Sequence, residues 1–207
     1  MEYLAEDNYF MAINKPAGMP SQNDNSGDES LLSFAQHKLG APVHIINRLD
    51  RPVGGIVLFA KDKNTAEALS EIIRDKDRCI KKYYAVVCGK AEKEATLEDH
   101  IIFSQRQNIS KVVNKGTTGA KTAILKYKYI REHTNGTLID IRLITGRHHQ
   151  IRVQLSHAGI PIWGDTKYNK DFAHKRGVMP LLFCREIKFT HPITGEQVDI
   201  KAEPEWI

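Results

Sequence analysis

Hydrophobic periodicity along the chain opens on an alternating stretch, residues 2–14, which predicts one or two strands closed by the turn-rich KPAGMP. The polar, glycine-containing SQNDNSGDE that follows predicts an exposed loop. SLLSFAQHKLG predicts a short helix, with Ser30 or Asp28 near its cap and Gly40 closing it. GGIVLFAK is a continuous apolar run and predicts a strand of the fully buried type. In NTAEALSEIIRDKD, Asn64 and Glu67 make a capping-box pattern, and Ala66, Leu69, Ile72 and Ile73 fall on one helical face.

KKYYAVVCGK returns to strand. KTAILKYKYIREHTNGTLIDIRLITG predicts a hairpin of two alternating runs around Asn135-Gly136, the type I′ signal. HHQIRVQLSHAG places Ile151, Leu155 and Ala158 at helical spacing, with Gly159 as the C-terminal cap. IPIWGDTKYNK is a loop punctuated by Pro and Gly, and LLFCREIKFTHPITGEQVDIKA a closing strand pair. Hairpins with interspersed helices imply an α+β fold: a mainly antiparallel mixed sheet flanked by helices, with residues 1–207 as a single domain.

Composition changes this picture little, and charge changes it more. The chain is long enough to bury a core, and its 41% hydrophobic and 27% charged residues are ordinary for a globular protein. No apolar run suffices to cross a membrane. MEYLAEDNYF carries three acids and no base, which is not the pattern of a signal or transit peptide. Three scattered cysteines without a CxxC argue against disulfides and zinc, and the expected compartment is the cytoplasm. Residues 1–30 hold six acids and one base, so the remainder carries a net +10 against the overall +5. That distribution suits a polyanionic partner.

Several residues then stand out as candidate chemistry. Asp50 sits between Arg48 and Arg51 at the mouth of the buried strand. It is either a turn aspartate or a carboxylate kept anionic by its neighbours and available as a nucleophile. His148 and His149 are adjacent, without the i, i+4 spacing of a helical metal site, so no metal is expected. Arg147 and Arg152 lie in the first turns after a strand, as a solvated basic face or as guanidinium partners for carboxylate or phosphate. Tyr83 and Tyr84 face opposite ways in their strand, so at most one lines a given cleft. There is no GxGxxG and no Walker lysine, which speaks against a nucleotide cofactor.

Taken in order, these segments resemble the RluA family of pseudouridine synthases over nearly the whole chain. INKPAGMP is similar to the family's KPaG segment, NRLDRPVGGIVLFAK to its HRLDxxTSGlllfAK motif, and KKYYAVVCG to its KxYxAxvxG strand. LITGRHHQIRVQLSHAGIPIWGDTKY resembles TGRxHQIRxHlxxxGxPIxGDxxY, and FTHPITGE the closing FxHPxTGe turn. Asn47, PVGG, His148 and Gln154 depart from the pattern. The resemblance leads us to expect the catalytic domain alone, without the small N-terminal RNA-binding module of some relatives.

The resemblance implies the pseudouridine synthase catalytic fold with an RNA-binding cleft. It further implies isomerisation of a uridine in structured RNA, ribosomal or transfer, by a cofactor-free monomer that extrudes the base. Asp50 inherits the catalytic aspartate, Arg147 the guanidinium that pairs with it, and Tyr83 the ring that stacks on uracil. Arg48 is expected to enter the RNA, with Lys15, Gln150, Ile151 and Arg152 as further RNA contacts. Two rivals are an RNA-binding scaffold without chemistry, whose mark would be loss of Asp50, Tyr83 or Arg147, and a metal-dependent hydrolase using the paired histidines.

Overall fold

The alternating amino-terminal stretch folds as two antiparallel strands, β1 (Tyr3–Glu6) and β2 (Phe10–Lys15), in a computed structural model that describes residues 1–207. Asp7 makes the turn between them, its Oδ1 accepting from the amides of Tyr9 and Phe10 at 2.7 and 2.8 Å. By contact density the chain divides into two units, Met1–Lys81 with Phe183–Ile207, and Lys82–Leu182.

The first unit continues with helix α1 (Leu31–Leu39), the short β3 (His44–Ile45), β4 (Gly54–Ala60) and helix α2 (Lys63–Arg74). From the far end of the chain it takes most of β10 (Leu182–Thr190) and all of β11 (Gln197–Lys201). The strand order is β1-β2-β4-β10, with β3 beside β4 and β11 beside β10. Only the β4–β10 pairing is parallel. All seven residues of β4 are buried, as its unbroken apolar run predicts for a strand covered on both faces. Gly55 makes the β10 pairing possible: its φ is +116°, and a Cβ there would lie 2.3 Å from the Cys184 carbonyl oxygen.

Both helices of this unit fall where the pattern places them. Ser30 caps α1, accepting from the Ser33 amide, and Gly40 closes it in the left-handed conformation. The cap of α2 differs from the predicted Asn64–Glu67 box. Asp62 takes the role instead, accepting from the amide of Thr65 at 2.9 Å and its hydroxyl at 2.6 Å. An anionic oxygen two residues earlier serves the free amides better and lengthens the helix.

β5 (Cys79–Val87) carries the chain into the second unit, followed by β6 (Glu94–Ser104), β7 (Ile109–Val113), β8 (Lys121–His133), β9 (Gly136–Leu143) and helix α3 (Gln150–His157). The order here is β5-β9-β8-β6-β7, and α3 packs on β6 and β7. The hairpin β8–β9 is present, but its loop is Thr134–Asn135 and Gly136 already pairs with His133. Neither loop residue has positive φ, so the turn is not type I′. Gly136 serves packing instead: a Cβ there would sit 2.1 Å from the Val87 carbonyl oxygen. No helix in the protein is long and apolar enough to cross a membrane.

Candidate active site

Asp50 lies in the first unit, on the turn that feeds β4, and that turn is held at each residue. Ser21 Oγ donates to the Leu49 carbonyl at 2.7 Å and accepts from the Leu49 amide at 3.1 Å. The Asp50 carbonyl accepts from the Val53 amide at 2.9 Å, and the Arg51 carbonyl from the Gly18 amide at 2.8 Å. Just upstream, Asn47 substitutes for main chain. Its Nδ2 donates to the Ile56 carbonyl and its Oδ1 accepts from the Leu58 amide, at 3.1 and 2.8 Å. Those β4 groups fall between its pairings with β10 and with β3, and the side-chain amide satisfies them.

The arginines beside Asp50 have their own partners. Arg51 Nε donates to the Gly18 carbonyl at 3.0 Å, and its terminal nitrogens pair with Asp24 and Asp28, holding the Asp28 carboxyl below its ordinary value. Arg51 thus ties back the polar segment 21–29, the exposed loop expected from the sequence. Arg48 is exposed and reaches Gln22 Oε1 at 3.4 Å, a long contact that leaves its guanidinium open to a ligand.

Lys15 replaces them as the nearby cation. It is 0% exposed, and its Nζ donates to the carbonyls of Pro16, Met19 and Arg51 at 3.0, 2.7 and 3.1 Å. A phosphate cannot reach an ammonium so placed, so the expected RNA contact gives way to a positioning role. Burial pulls its pKa from 10.5 to about 7; the Asp50 carboxylate resists that fall and Arg51 adds to it. Between pH 7 and 10.5 the unfolded chain therefore holds more proton at Lys15 than the folded one, and stability rises with pH across that window. Measured by urea unfolding, the stability of wild type relative to Lys15→Met is expected to grow by about 2 kcal/mol from pH 7.5 to 9 and to flatten below 7. A difference constant across pH would show that Lys15 titrates normally.

The second unit carries Tyr83 and Arg147. Tyr83, in β5, is 7% exposed, while Tyr84 on the opposite face is more open. Arg147 is exposed on the segment between β9 and α3, with Nε donating to the Thr122 carbonyl at 2.9 Å. A glutamine network fixes that segment. Gln150 Oε1 accepts from the Arg147 amide and the Thr145 hydroxyl at 2.9 and 2.8 Å, and its Nε2 donates to the Ile124 carbonyl at 3.1 Å. Gln150 is buried and fully engaged, so it positions Arg147 and is not itself open to RNA.

The two remaining RNA contacts expected from the sequence are also interior. Ile151 is buried. Arg152 grips Asp165 with Nε to Oδ2 at 2.8 Å and a terminal nitrogen to Oδ1 at 2.9 Å, the side chains being 5% and 0% exposed. Burial acts to raise the Asp165 pKa, but the guanidinium and the amides of Lys167 and Tyr168 outweigh it and hold the carboxyl below its ordinary value. The departure at Gln154 has a local role too: its Nε2 donates to Asp99 Oδ2 at 2.8 Å, joining α3 to β6.

Sequence reasoning singled out His148 and His149 but not the cluster they form. The His148 ring lies 3.9 Å from the Phe103 ring and 3.7 Å from that of His149, and His149 Nδ1 lies 2.7 Å from the Tyr168 hydroxyl. Ser110 Oγ donates to the His148 carbonyl at 2.6 Å. The available signal was Phe103 itself, an aromatic two residues after Ile101 and ahead of the polar SQRQN.

The comparisons with known proteins agree with these motifs. Residues 9–157 match the model of a family described as RNA pseudouridylate synthase. Ribosomal large subunit pseudouridine synthase C of Rickettsia prowazekii (strain Madrid E) is 31% identical over 208 residues, covering 98% of this chain and 68% of that protein. tRNA pseudouridine synthase C of Vibrio vulnificus (strain CMCP6) is 30% identical over 226 residues, covering 98% and 90%. Among solved structures, Human RNA Pseudouridylate Synthase Domain Containing 1 shares the fold with a TM-score of 0.82, at 19% identity, over 100% of this chain and 84% of that one. From the amino-terminal hairpin to the end of α3, the chain belongs to the RNA pseudouridylate synthase family.

Proposed function

We propose that this enzyme isomerises one uridine of a ribosomal or transfer RNA to pseudouridine, with Asp50 as the nucleophile. The observation that carries the assignment is the turn around Asp50: a partly exposed carboxylate in a loop whose neighbours are tied to Ser21, Gly18 and the buried Lys15. Such a turn has little left to reorganise as the reaction proceeds, which is what preorganised catalysis requires. The uridine must first leave its stack, at a cost of a few kcal/mol, offset by cationic contacts to the backbone. Arg48, exposed and weakly held, is suited to enter the RNA at that step.

Asp50 attacks as the anion; the N1–C1′ bond breaks, the detached uracil turns and rejoins through a C5–C1′ bond, Asp50 is released as the anion, and the proton lost from carbon 5 is matched by one taken up at N1. Arg147 supplies the guanidinium that the family resemblance assigns to this carboxylate, and Tyr83 the ring that stacks on the base. Balance needs no oxidant, reductant or group donor. The direct test is tritium release from RNA labelled at carbon 5 of uridine, drawn from a strain of the source organism lacking this gene. Release establishes the reaction; none from a folded enzyme that binds the RNA returns the chain to the role of an RNA-binding scaffold.

In the same assay Arg147→Lys is expected to lower kcat/KM about 100-fold, the scale of a misplaced catalytic group. A lysine cannot keep the bond to the Thr122 carbonyl and also present a planar fork. Near-normal kinetics would remove Arg147 from the mechanism.

A further inference from the structure

We propose that the cavity beside Arg147 in the second unit docks an unpaired nucleotide of the substrate RNA, its base stacked on Phe103 and its phosphate held by Lys121. This rests on the reading of the chain as an RNA-modifying enzyme and adds where a second nucleotide is held. The cavity measures about 390 Å³, and Phe103, Ser110, Lys121, Gly146, Arg147 and His148 are among its lining residues. That volume falls in the roughly 300–1,000 Å³ range of small-ligand sites.

Three features of the lining select a nucleotide. Phe103 is 44% exposed, a large apolar ring left on a surface strand. The His148 ring lies against it at 3.9 Å, and His148 is itself held by the His149 ring and the Ser110 bond, so the platform is stiff. Lys121 and Arg147 supply positive charge, and no carboxylate lines the cavity. A stacking ring with cations beside it is how single-stranded nucleic acid is gripped without reading sequence. Gly146, with nothing within 4 Å of where a Cβ would stand, keeps the approach open.

The test compares wild type with Phe103→Ala, Phe103→Leu and Phe103→Trp, using the carbon-5-labelled RNA described above. Two quantities are read, filter-binding affinity at fixed salt and the split of turnover into kcat and KM. Phe103 is exposed, so all three variants are expected to fold. Phe103→Ala and Phe103→Leu should weaken binding and raise KM roughly tenfold, with kcat within about threefold, while Phe103→Trp stays near wild type. Lys121→Gln should lessen the dependence of log affinity on log salt by about one ion.

Wild-type affinity in Phe103→Leu or Phe103→Ala would overturn the proposal, since apolar bulk or nothing at all would then serve as well as a π face. Binding is read independently of turnover. If wild type releases no tritium and Phe103→Ala still binds tenfold more weakly, the catalytic reading fails and the nucleotide site stands. If wild type releases tritium and Phe103 variants bind normally, the nucleotide site alone fails.

Discussion

Asp50→Asn should abolish tritium release, to at least about 10⁴ below wild type, the scale seen when a nucleophile is removed from a working site. Affinity for the RNA should stay within about threefold, because phosphate contacts supply most of it and Asn removes a charge that repels phosphate. The substitution suits the question because it leaves the main-chain restraints of the turn in place: the Asp50 carbonyl to Val53, the Leu49 peptide to Ser21, the Arg51 carbonyl to Gly18 and Lys15. The carboxylate does support the protonated form of Lys15, so urea unfolding of Asp50→Asn is read beside turnover. Asn differs from Asp by one charge and no bulk, and loss of turnover at unchanged stability is loss of nucleophilicity. Activity within tenfold of wild type would exclude Asp50 as the nucleophile.

Arg152→Leu is expected to cost about 3–5 kcal/mol of stability, read by urea unfolding, with little change in the salt dependence of RNA binding. Asp165 has no exposure at all and accepts two guanidinium hydrogens as well as the amides of Lys167 and Tyr168. Without Arg152 its charge stays buried with only the dipoles of two amides beside it. Pairing Arg152→Leu with Asp165→Asn should recover part of the loss, since the buried charge goes while an acceptor for the two amides remains. A single variant with wild-type stability and a shallower salt slope would return Arg152 to the phosphate contacts.

The contrast between these residues shows what a sequence can convey about a site. The element pattern was legible wherever periodicity was strong: β4 from its apolar run, α2 from its apolar face, β10 and β11 from the alternation around HPITG. The pair β6–β7 was not, because the alternation that starts at Glu94 breaks at Asp99-His100 and the inward face of β6 is only partly buried. Asp50, Tyr83 and Arg147 emerged from motifs. The roles of Lys15, Gln150 and Arg152 did not, because a cation or an amide in a motif looks the same whether it meets a phosphate or a carbonyl. Three carbonyls converge on Lys15 from Pro16, Met19 and Arg51, and that convergence exists only after folding. Asp165, thirteen residues from Arg152, is likewise its partner only once the loop after α3 has closed.

Asn47 has a mechanical consequence. Its side-chain amide extends the hydrogen-bond ladder on β4 by one rung after the main chain of residues 48–50 has left the sheet. A load placed on that turn by a docking RNA therefore meets β4 at this rung through one side chain and not through a peptide pair. In amide hydrogen exchange, the Leu58 N–H should stay as slow as its neighbours in β4 when RNA binds. At that rung the edge of the core is joined to the turn by a single residue.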